Sequence, residues 1–274
     1  MRHSPLLLLP LLALVAVLAA CESTSTAPSS SRRAQAPQLP PTPPPPRVQE
    51  APAPYRAQLH AEIAAGYYER GQMDIALQEL EEAVKLDPRN AKIYNVYGLV
   101  YATLGQDQNA QQNFLKALEI APNDSEIRQN WGWYLCTHGR AKESLQEFDL
   151  AVRNPLYRTP DVSLTNAGKC AASIGDKQRA DEYLRRALSI NPNNTTAAYN
   201  LALLNYKENR LDDARALMRR VMQQSAPPPE ALYLGMCIER KLNDRPAEAS
   251  YVSQLRNRFP DAAETKALAT GVCE

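Results

Sequence analysis

The chain has 274 residues and carries 31 Lys and Arg side chains against 30 Asp and Glu. A chain this neutral has no general electrostatic attraction for nucleic acid or an anionic membrane surface, so we expect no nucleic-acid partner. Of three histidines, one lies near the N-terminus, which leaves only His60 and His138. We therefore expect no histidine-rich metal site.

The first predicted element is an export signal over residues 1–20. Arg2 gives it a positive start, and only Pro10 interrupts the apolar run Leu6–Ala20. That run is too short to span a bilayer and ends in small residues, which is typical of a signal peptide that is cleaved.

The signal ends in Leu18–Cys21, which resembles the lipobox of bacterial lipoproteins, whose cysteine is lipidated and becomes the first mature residue. Acyl chains on Cys21 would anchor the protein, each buried CH₂ contributing about 0.8 kcal/mol. The alternative is an ordinary signal peptide with a cysteine nearby by chance. Glu22 follows, where Asp is the usual inner-membrane retention signal of such lipoproteins. We therefore expect an outer-membrane lipoprotein that faces the periplasm.

A proline-rich segment comes after the cysteine. Ten of the 22 prolines lie between Pro28 and Pro54. Such a composition buries too little apolar surface to offset the entropy of ordering and favours extended polyproline II. The sequence therefore predicts a disordered tether over residues 21–56.

From residue 57 onward, one pattern recurs with a period of about 34 residues. Counted from the first residue of each unit, place eight holds a small residue, and place fifteen holds Gly or, in the fifth unit, Asn. These are Ala64, Gly98, Gly132, Gly168 and Ala202, and Gly71, Gly105, Gly139, Gly175 and Asn209. Small residues at place eight let two helices approach closely, and Gly turns the chain between them. The pattern resembles the tetratricopeptide repeat and predicts an all-α solenoid of about six helix-turn-helix units.

The predicted units are 57–90, 91–124, 125–160, 161–194, 195–228 and 229–260, followed by a C-terminal tail over 261–274. The third unit is longer than the others because of an enlarged loop, Arg153–Pro160. The sixth keeps Gly235 but shows no clean register. Terminal repeats are expected to be atypical because they cap the stack.

No catalytic motif accompanies the repeats. The sequence contains no phosphate-binding loop, no His-Glu-x-x-His and no Gly-x-Ser-x-Gly elbow. Carboxylates such as Glu79, Glu81 and Glu82 have the spacing of a solvated helix face. We therefore expect no enzyme, no catalytic residue, no cofactor and no small-molecule substrate. The competing hypothesis, a periplasmic enzyme with a repeat domain, would need a catalytic domain.

Four cysteines remain after Cys21, and an exported protein meets an oxidising compartment that permits disulfides. Cys136 and Cys170 lie on the first helices of the adjacent third and fourth units, which pack side by side in this fold. We predict a disulfide between them. A second would join Cys237, in the last unit, to Cys273, in the tail. The alternative is that Cys136 and Cys170 are buried free thiols.

The first helices of such a solenoid line a concave groove, through places two, five, nine and twelve. An aromatic side chain such as Trp133 in a groove indicates a covering partner. Amides recur at place six and can hold a peptide backbone. The predicted groove residues are Tyr68, Asn95, Leu99, Asn130, Trp133, Asn166, Lys169 and Tyr199. The alternative is that individual members pack against neighbouring helices.

Three segments carry a sharper resemblance. Asn130–Arg140, Asn154–Pro160 and Asn166–Cys170 resemble segments of the type IV pilus biogenesis/stability lipoproteins, the PilW/PilF pilotin family. The long loop and the two cysteines one repeat apart are the specific part of this likeness. The chain departs from the family in having Trp131 where Tyr is usual, and in its proline-rich tether.

This resemblance implies a non-enzymatic pilotin, a protein that binds the pilus secretin, brings it to the outer membrane through its own lipid and promotes its multimerisation. It also implies that the early repeats contact the secretin. Tyr68, Asn95 and Leu99 are the first candidates, with Trp133 at the edge. We expect a monomer. The alternative is a lipid-anchored adaptor for other envelope proteins, such as peptidoglycan hydrolases.

Overall fold

The computed structural model describes residues 51–224, 226–271 and 273, which form thirteen α-helices and no strand. In chain order the helices are α1 Ala53–Glu69, α2 Met73–Leu86, α3 Ala91–Thr103, α4 Asp107–Ile120, α5 Ser125–Thr137, α6 Ala141–Ala151, α7 Pro160–Ser173, α8 Lys177–Ile190, α9 Thr195–Lys207, α10 Leu211–Val221, α11 Pro229–Lys241, α12 Arg245–Arg258 and α13 Ala263–Ala267. The all-α solenoid prediction is confirmed. The predicted signal peptide, Cys21 and most of the predicted tether lie outside the described residues.

The first twelve helices pack as six consecutive pairs, α1 with α2 through α11 with α12. Each pair also contacts the next pair, so that the pairs form one continuous stack. The buried side chains form four clusters along this stack. Large side chains such as Phe114 and Phe148 are fully buried, each contributing about 1.5–3 kcal/mol through removal from water.

Place eight is small because the two helices of a pair meet there. A Cβ added to Gly98 would lie 2.7 Å from the ring of Phe114 on α4, closer than any real contact. The sixth pair repeats this arrangement, since a Cβ on Gly235 would lie 2.8 Å from the ring of Tyr251. The glycine therefore allows the two helices of the pair to pack at this short distance.

The residue that turns the chain between paired helices has positive φ in every pair. These residues are Gly71, Gly105, Gly139, Gly175, Asn209 and Asn243. Asn tolerates this left-handed backbone better than other residues with a side chain. From Gly98 to Gly105 is seven positions, but from Gly235 to Asn243 is eight. In the sixth pair the turn residue therefore comes one position later after the glycine than in the other pairs. This extra residue explains why the sequence of the sixth unit does not align with the repeat pattern.

Both boundaries of the solenoid differ from the prediction. Helix α1 begins at Ala53, inside the segment predicted as tether. Pro54 occupies its second position, where a missing N–H removes no intrahelical hydrogen bond, so the proline does not exclude the helix. At the other end, the predicted tail contains the short helix α13.

Candidate partner-binding groove

Seven of the eight predicted groove residues keep some exposure in the structure. They lie on successive first helices, from α1 to α9, and neighbouring first helices contact one another. Lys169 is exposed, whereas the others are half-buried: Tyr68, Leu99, Asn130, Trp133, Asn166 and Tyr199. These side chains therefore lie on the first helices of five successive pairs and are accessible to solvent.

Asn95 requires a correction. Its side chain is only 5% exposed, and its Oδ1 accepts a hydrogen bond of 3.2 Å from Nδ2 of Asn130 on the next first helix. A buried amide must find such a partner, and here it joins two units. Asn95 is therefore a structural residue, and we remove it from the set of groove contacts. Asn130 itself is half-buried and stays in that set.

Trp133 is shared between two parts of the core. Its half-buried indole packs against the cluster that contains Leu135 and also against the cluster that contains Leu145. Part of the indole therefore serves internal packing, as the alternative interpretation of the sequence holds. Only the remaining exposed part is available to a partner.

The structure joins Cys136 to Cys170, with their Cα atoms 5.9 Å apart. This disulfide connects α5 to α7, which are the first helices of the third and fourth pairs. It also joins Cys237 on α11 to Cys273 in the tail, with the Cα atoms 5.6 Å apart. The first bond therefore fixes two neighbouring first helices to each other, and the second fixes the tail to the last pair.

The tail lies against the C-terminal part of the groove. Tyr206 donates a hydrogen bond of 3.2 Å from its hydroxyl to the carbonyl of Cys273, and Arg240 donates one of 2.9 Å to the carbonyl of Gly271. Leu268 packs against the cluster formed by α9 and α11. The C-terminal part of the groove is thus partly filled by the chain itself, which the sequence pattern did not indicate.

A cavity of about 390 Å³ lies beside this tail-filled part. Lys169 and Tyr199 line it, as predicted groove residues, together with Thr195, Thr196 and Glu230. Burial, followed by the charges of Glu230 and Glu264, raises the pKa of the Tyr199 hydroxyl above its usual value. The phenol is therefore neutral near pH 7 and can donate a hydrogen bond in the cavity that Lys169 also lines.

The enlarged loop forms a second cavity, of about 480 Å³, against the N-terminal end of α5. Glu126, Gln129 and Asn130 line one wall, at places two, five and six of the third unit. Asn154 and residues 156–159 line it from the loop. The loop therefore deepens the groove at this one position, and its contribution could be anticipated from the sequence only as extra length.

An apolar stripe is exposed on the first helix. Tyr55, Leu59 and Ile63 follow one another at intervals of four along α1 and are 62%, 47% and 38% exposed. The equivalents of Leu59 at place three, Ile93 and Ile127, are 0% and 1% exposed. Ile93 packs with Leu80 and Ala83 of the preceding second helix. The stripe is thus the surface that a preceding helix covers in later units.

Two further properties of the described residues bear on other classes of function. No group of three or more His, Cys, Asp or Glu side chains in residues 51–224, 226–271 and 273 is arranged to hold a metal ion. None of the helices in that same part of the chain is both long and apolar enough to cross a membrane.

Comparison with known proteins agrees with this geometry. Family models described as TPR repeat or tetratricopeptide repeat match residues 66–105, 91–124 and 175–234. Together with the six helix pairs, these matches define a tetratricopeptide-repeat solenoid.

Similar proteins identify a narrower family among the tetratricopeptide-repeat proteins. The crystal structure of PilW, a widely conserved type IV pilus biogenesis factor, superimposes with a TM-score of 0.71 at 30% identity, over 78% of this chain and 98% of PilW. The type IV pilus assembly protein PilF of Pseudomonas aeruginosa is 26% identical over 205 residues, which are 75% of this chain and 81% of PilF. A solved PilF structure from that organism gives a TM-score of 0.72 at 24% identity, over 80% of this chain and 99% of PilF. The chain belongs to the tetratricopeptide-repeat family of type IV pilus biogenesis factors that includes PilW and PilF.

Proposed function

We propose that this protein is a non-enzymatic pilotin, which is anchored in the outer membrane and binds the type IV pilus secretin. In this role it promotes the localisation and multimerisation of the secretin and so supports pilus biogenesis and stability. Two features support the proposal: membership of the pilus biogenesis family, and an exposed apolar surface on α1 at the N-terminal end of the solenoid.

The exposed stripe on α1 is the observation that carries the proposed contact. In the second and third units, the side chain at place three is buried, whereas Leu59 in the first unit is 47% exposed. Contiguous apolar side chains on the surface of a soluble domain usually mark a binding site. A partner helix with an apolar face would cover Leu59 and Ile63 as α2 covers Ile93. We propose that a segment of the secretin supplies this helix.

The groove extends this surface. Tyr68 lies on the same helix as the stripe, and Leu99 lies on the next first helix, where both are half-buried. A secretin segment longer than one helix could continue from Leu59 onto these side chains. We propose that lipid on Cys21 holds the complex at the outer membrane and that residues 22–52 connect the anchor to α1.

The test measures the secretin in cells that lack this protein, as detergent-resistant rings against monomers on a gel. The deletion strain receives one of four chains: wild type, Cys21→Ala, Leu59→Glu with Ile63→Glu, and Leu115→Glu. Leu115 is the matched control because it lies on a second helix and has the same 47% exposure as Leu59. Circular dichroism of each purified chain verifies that the helices are retained.

We expect wild type and Leu115→Glu to restore rings, and the Leu59→Glu, Ile63→Glu chain to lose at least about 90% of them, since two buried carboxylates oppose apolar docking. Cys21→Ala should leave rings absent or misplaced. Rings restored by the stripe variant would exclude α1 as the contact. Intact rings with missing pili in the deletion strain would move the function to fibre stability. Intact rings with normal pili would contradict the proposal.

A further inference from the structure

Equivalent places on three neighbouring first helices carry two sets of side chains that the proposed secretin contact does not use. Place six of each unit holds an amide, and place nine lies beside it, because residues three apart are neighbours on a helix surface. All six side chains keep some exposure. Since neither set lies on α1, an occupant here is independent of the stripe. The amide set on α5, α7 and α9 is Asn130, Asn166 and Asn200, and the set at place nine is Trp133, Lys169 and Leu203.

Each amide keeps an N–H donor for a partner. Nδ2 of Asn130 donates to Oδ1 of Asn95 at 3.2 Å, and Nδ2 of Asn200 donates to the carbonyl of Thr196 at 2.8 Å. An amide nitrogen carries two N–H groups, so one remains on each of these side chains. Asn166 makes no side-chain hydrogen bond within the part of the chain that the structure describes. The amide set therefore offers a donor on each of three successive first helices.

Cavities lie at both ends of the amide set. Asn130 lines the cavity of about 480 Å³ at the enlarged loop. Asn200 lines the cavity of about 390 Å³ beside the tail, together with Lys169 and Tyr199. The neighbouring helices therefore do not seal these amides, and a segment of another chain can reach them.

Helix α9 already holds a piece of main chain through a side-chain donor. The Tyr206 hydroxyl donates a hydrogen bond of 3.2 Å to the carbonyl of Cys273. On the next first helix, Arg240 donates one of 2.9 Å to the carbonyl of Gly271. Both carbonyls belong to residues outside the helices of the tail. Donation from a first helix to main-chain carbonyls is therefore a contact that this groove makes, and the amide set continues it along α5, α7 and α9.

The spacing of the first helices selects the conformation of an occupant. Helices in contact lie about 8–10 Å apart, so equivalent places recur at about that interval. A polyproline II helix has three residues per turn and presents the same face about every 9.3 Å. A β-strand does so about every 6.6–6.8 Å, and an α-helix about every 5.4 Å. Polyproline II is therefore the regular conformation that meets all three helices in the same way, with one carbonyl for each amide.

Proline suits both sets of side chains. It favours the polyproline II backbone and has no N–H group, so a proline-rich segment presents mainly carbonyl acceptors to the amides. Its apolar ring packs on aromatic and aliphatic surface, which Trp133 and Leu203 supply at place nine. Lys169, between them, adds its apolar stem while the ammonium group stays in water. The occupant that these contacts fit is a proline at every third residue.

The sequence of this protein contains that period. Four prolines, which we call the third-position prolines, follow one another at intervals of three: Pro37, Pro40, Pro43 and Pro46. We propose that the amide set and the set at place nine bind this segment of a second copy of the protein in the polyproline II conformation. Each asparagine donates to one carbonyl per turn, and the third-position prolines pack on Trp133 and Leu203. The contact is weak, so the purified protein stays monomeric when dilute, and anchoring of copies on one membrane raises their effective concentration.

The binding test uses the full chain, isotope-labelled, held in detergent micelles and carrying Ala at the third-position prolines so that it offers no such segment itself. A capped peptide with the sequence of residues 36–47 is titrated while NMR follows the side-chain amide signals of Asn130, Asn166 and Asn200. Two control peptides each carry three alanines. The first replaces Pro40, Pro43 and Pro46, and the second replaces Pro41, Pro44 and Pro45. Both lose the same number of prolines, so they differ only in the face that is changed.

We expect the peptide of residues 36–47 to bind with a Kd between about 0.1 and 1 mM. The first control should bind at least about tenfold more weakly, whereas the second should stay within about threefold. Asn166→Asp keeps the shape of the side chain but replaces its donors by acceptors, and should weaken binding about tenfold. Gln112→Glu makes the same kind of change at an exposed amide on α4 and should have no effect. Circular dichroism verifies that each variant keeps its helices.

Three results of this titration would overturn the site. Equal weakening by both control peptides would show that no three-residue period is recognised. Unchanged binding to the Asn166→Asp chain would show that the amides do not donate to the segment. Loss of binding in a Lys169→Gln chain, for which we expect a change of less than about twofold, would show that charge attracts the peptide.

A second titration identifies the source of the segment. The unlabelled wild-type chain takes the place of the peptide, and an unlabelled chain with Ala at the third-position prolines is its control. Shifts of the three amide signals with the wild-type chain alone would support a second copy as the source. If the peptide binds but the wild-type chain causes no shift up to about 1 mM, a different protein supplies the segment and the assignment to a second copy is wrong. The absence of shifts with the peptide up to about 20 mM would overturn the site as well.

Discussion

The C-terminal end of the solenoid is covered by its own chain, whereas in the described part of the chain the apolar face of α1 at the N-terminal end is exposed. Helix α13 and Leu268 pack against the last units, and the bond between Cys237 and Cys273 fixes the tail there. At the other end, Leu59 and Ile63 on α1 have no covering helix among the described residues. Every repeat stack has two ends at which a unit lacks a neighbour.

This difference argues that the N-terminal exposure has a use. The chain possesses a device for covering one end, namely a short helix attached by a disulfide and by two hydrogen bonds to backbone carbonyls. Among residues 51–224, 226–271 and 273, such a cover occurs only at the C-terminal end. An apolar end left uncovered lowers solubility, so we interpret the bare end as the side for a partner. Substitutions at the two ends test this difference.

The largest effect is expected from removing the tail disulfide. Replacement of Cys237 and Cys273 by Ser should lower the free energy of unfolding by about 3–4 kcal/mol, because the bond closes a loop across 36 positions of sequence. Urea unfolding measures the loss. Hydrogen exchange should increase in α11–α13 and stay unchanged in α1–α4. Equal increases at both ends would show that the tail is not a local cover.

The next largest effect is expected from shortening the side chain at place three, which is buried in the third unit and exposed in the first. Ile127→Ala should destabilise the fold by about 3 kcal/mol, because Ile127 is fully buried. Leu59→Ala should cost less than about 1 kcal/mol, because much of that side chain is already in water. Thermal and urea unfolding of both variants measure the difference. Comparable losses would mean that Leu59 is covered in the folded protein, and the stripe would then not be free for a partner.

The sequence predicted the architecture well because small residues are required where helices approach. Gly98 and Gly132 mark those positions without ambiguity, since the ring of a large side chain lies against each. The start of α1 was missed because proline in the first turn of a helix is tolerated, and composition alone cannot show this. The extra residue before Asn243 was missed for a different reason. It shifts the turn by one position but preserves the close contact between the helices at Gly235.

The site was harder to predict than the fold. Place five indicated Asn95 as a groove residue, but whether an amide faces a ligand or bonds to Asn130 depends on a side-chain rotamer that periodicity does not fix. The stripe on α1 was missed because Leu59 occupies a place that is buried in later units. Its exposure follows from being first in the stack, a property of position in the chain that the repeat pattern itself does not contain.

Acid should weaken the covered end more than the bare end. Arg240 and then Arg245 hold the pKa of the Glu248 carboxyl below its usual value, and Arg240 also holds the carbonyl of Gly271. A lowered pKa in the folded state contributes stability above about pH 4.5, and this is lost as the pH falls through the folded value. We expect the free energy of unfolding to fall as the pH drops below about 4.5, and Glu248→Gln should abolish this part of the pH dependence.

Glu82 provides the comparison at the other end. Lys85 lowers the pKa of the Glu82 carboxyl in the same direction, but this pair is exposed on α2 and screened by solvent. Glu82→Gln should therefore change the pH profile less than Glu248→Gln. Urea unfolding of both variants between pH 3 and pH 7 measures the two effects. An equal change in both profiles would show that the ion pairs at the tail are not protected from water.

The smallest effect concerns the hydrogen bond from Tyr206 to the tail. Tyr206→Phe removes the donor to the Cys273 carbonyl and should cost about 1 kcal/mol, while the packing of the ring is kept. Tyr94→Phe is the matched control, because the Tyr94 hydroxyl donates to the carbonyl of Pro88 within its own region of the chain. Protease cleavage in the tail should accelerate for the first variant only. If cleavage is unchanged, the disulfide and the contacts of Arg240 and Leu268 hold the tail without help from the Tyr206 hydroxyl. If cleavage accelerates, the groove itself binds an extended backbone through Tyr206, which is the kind of contact that a partner segment would make in the open part of the groove.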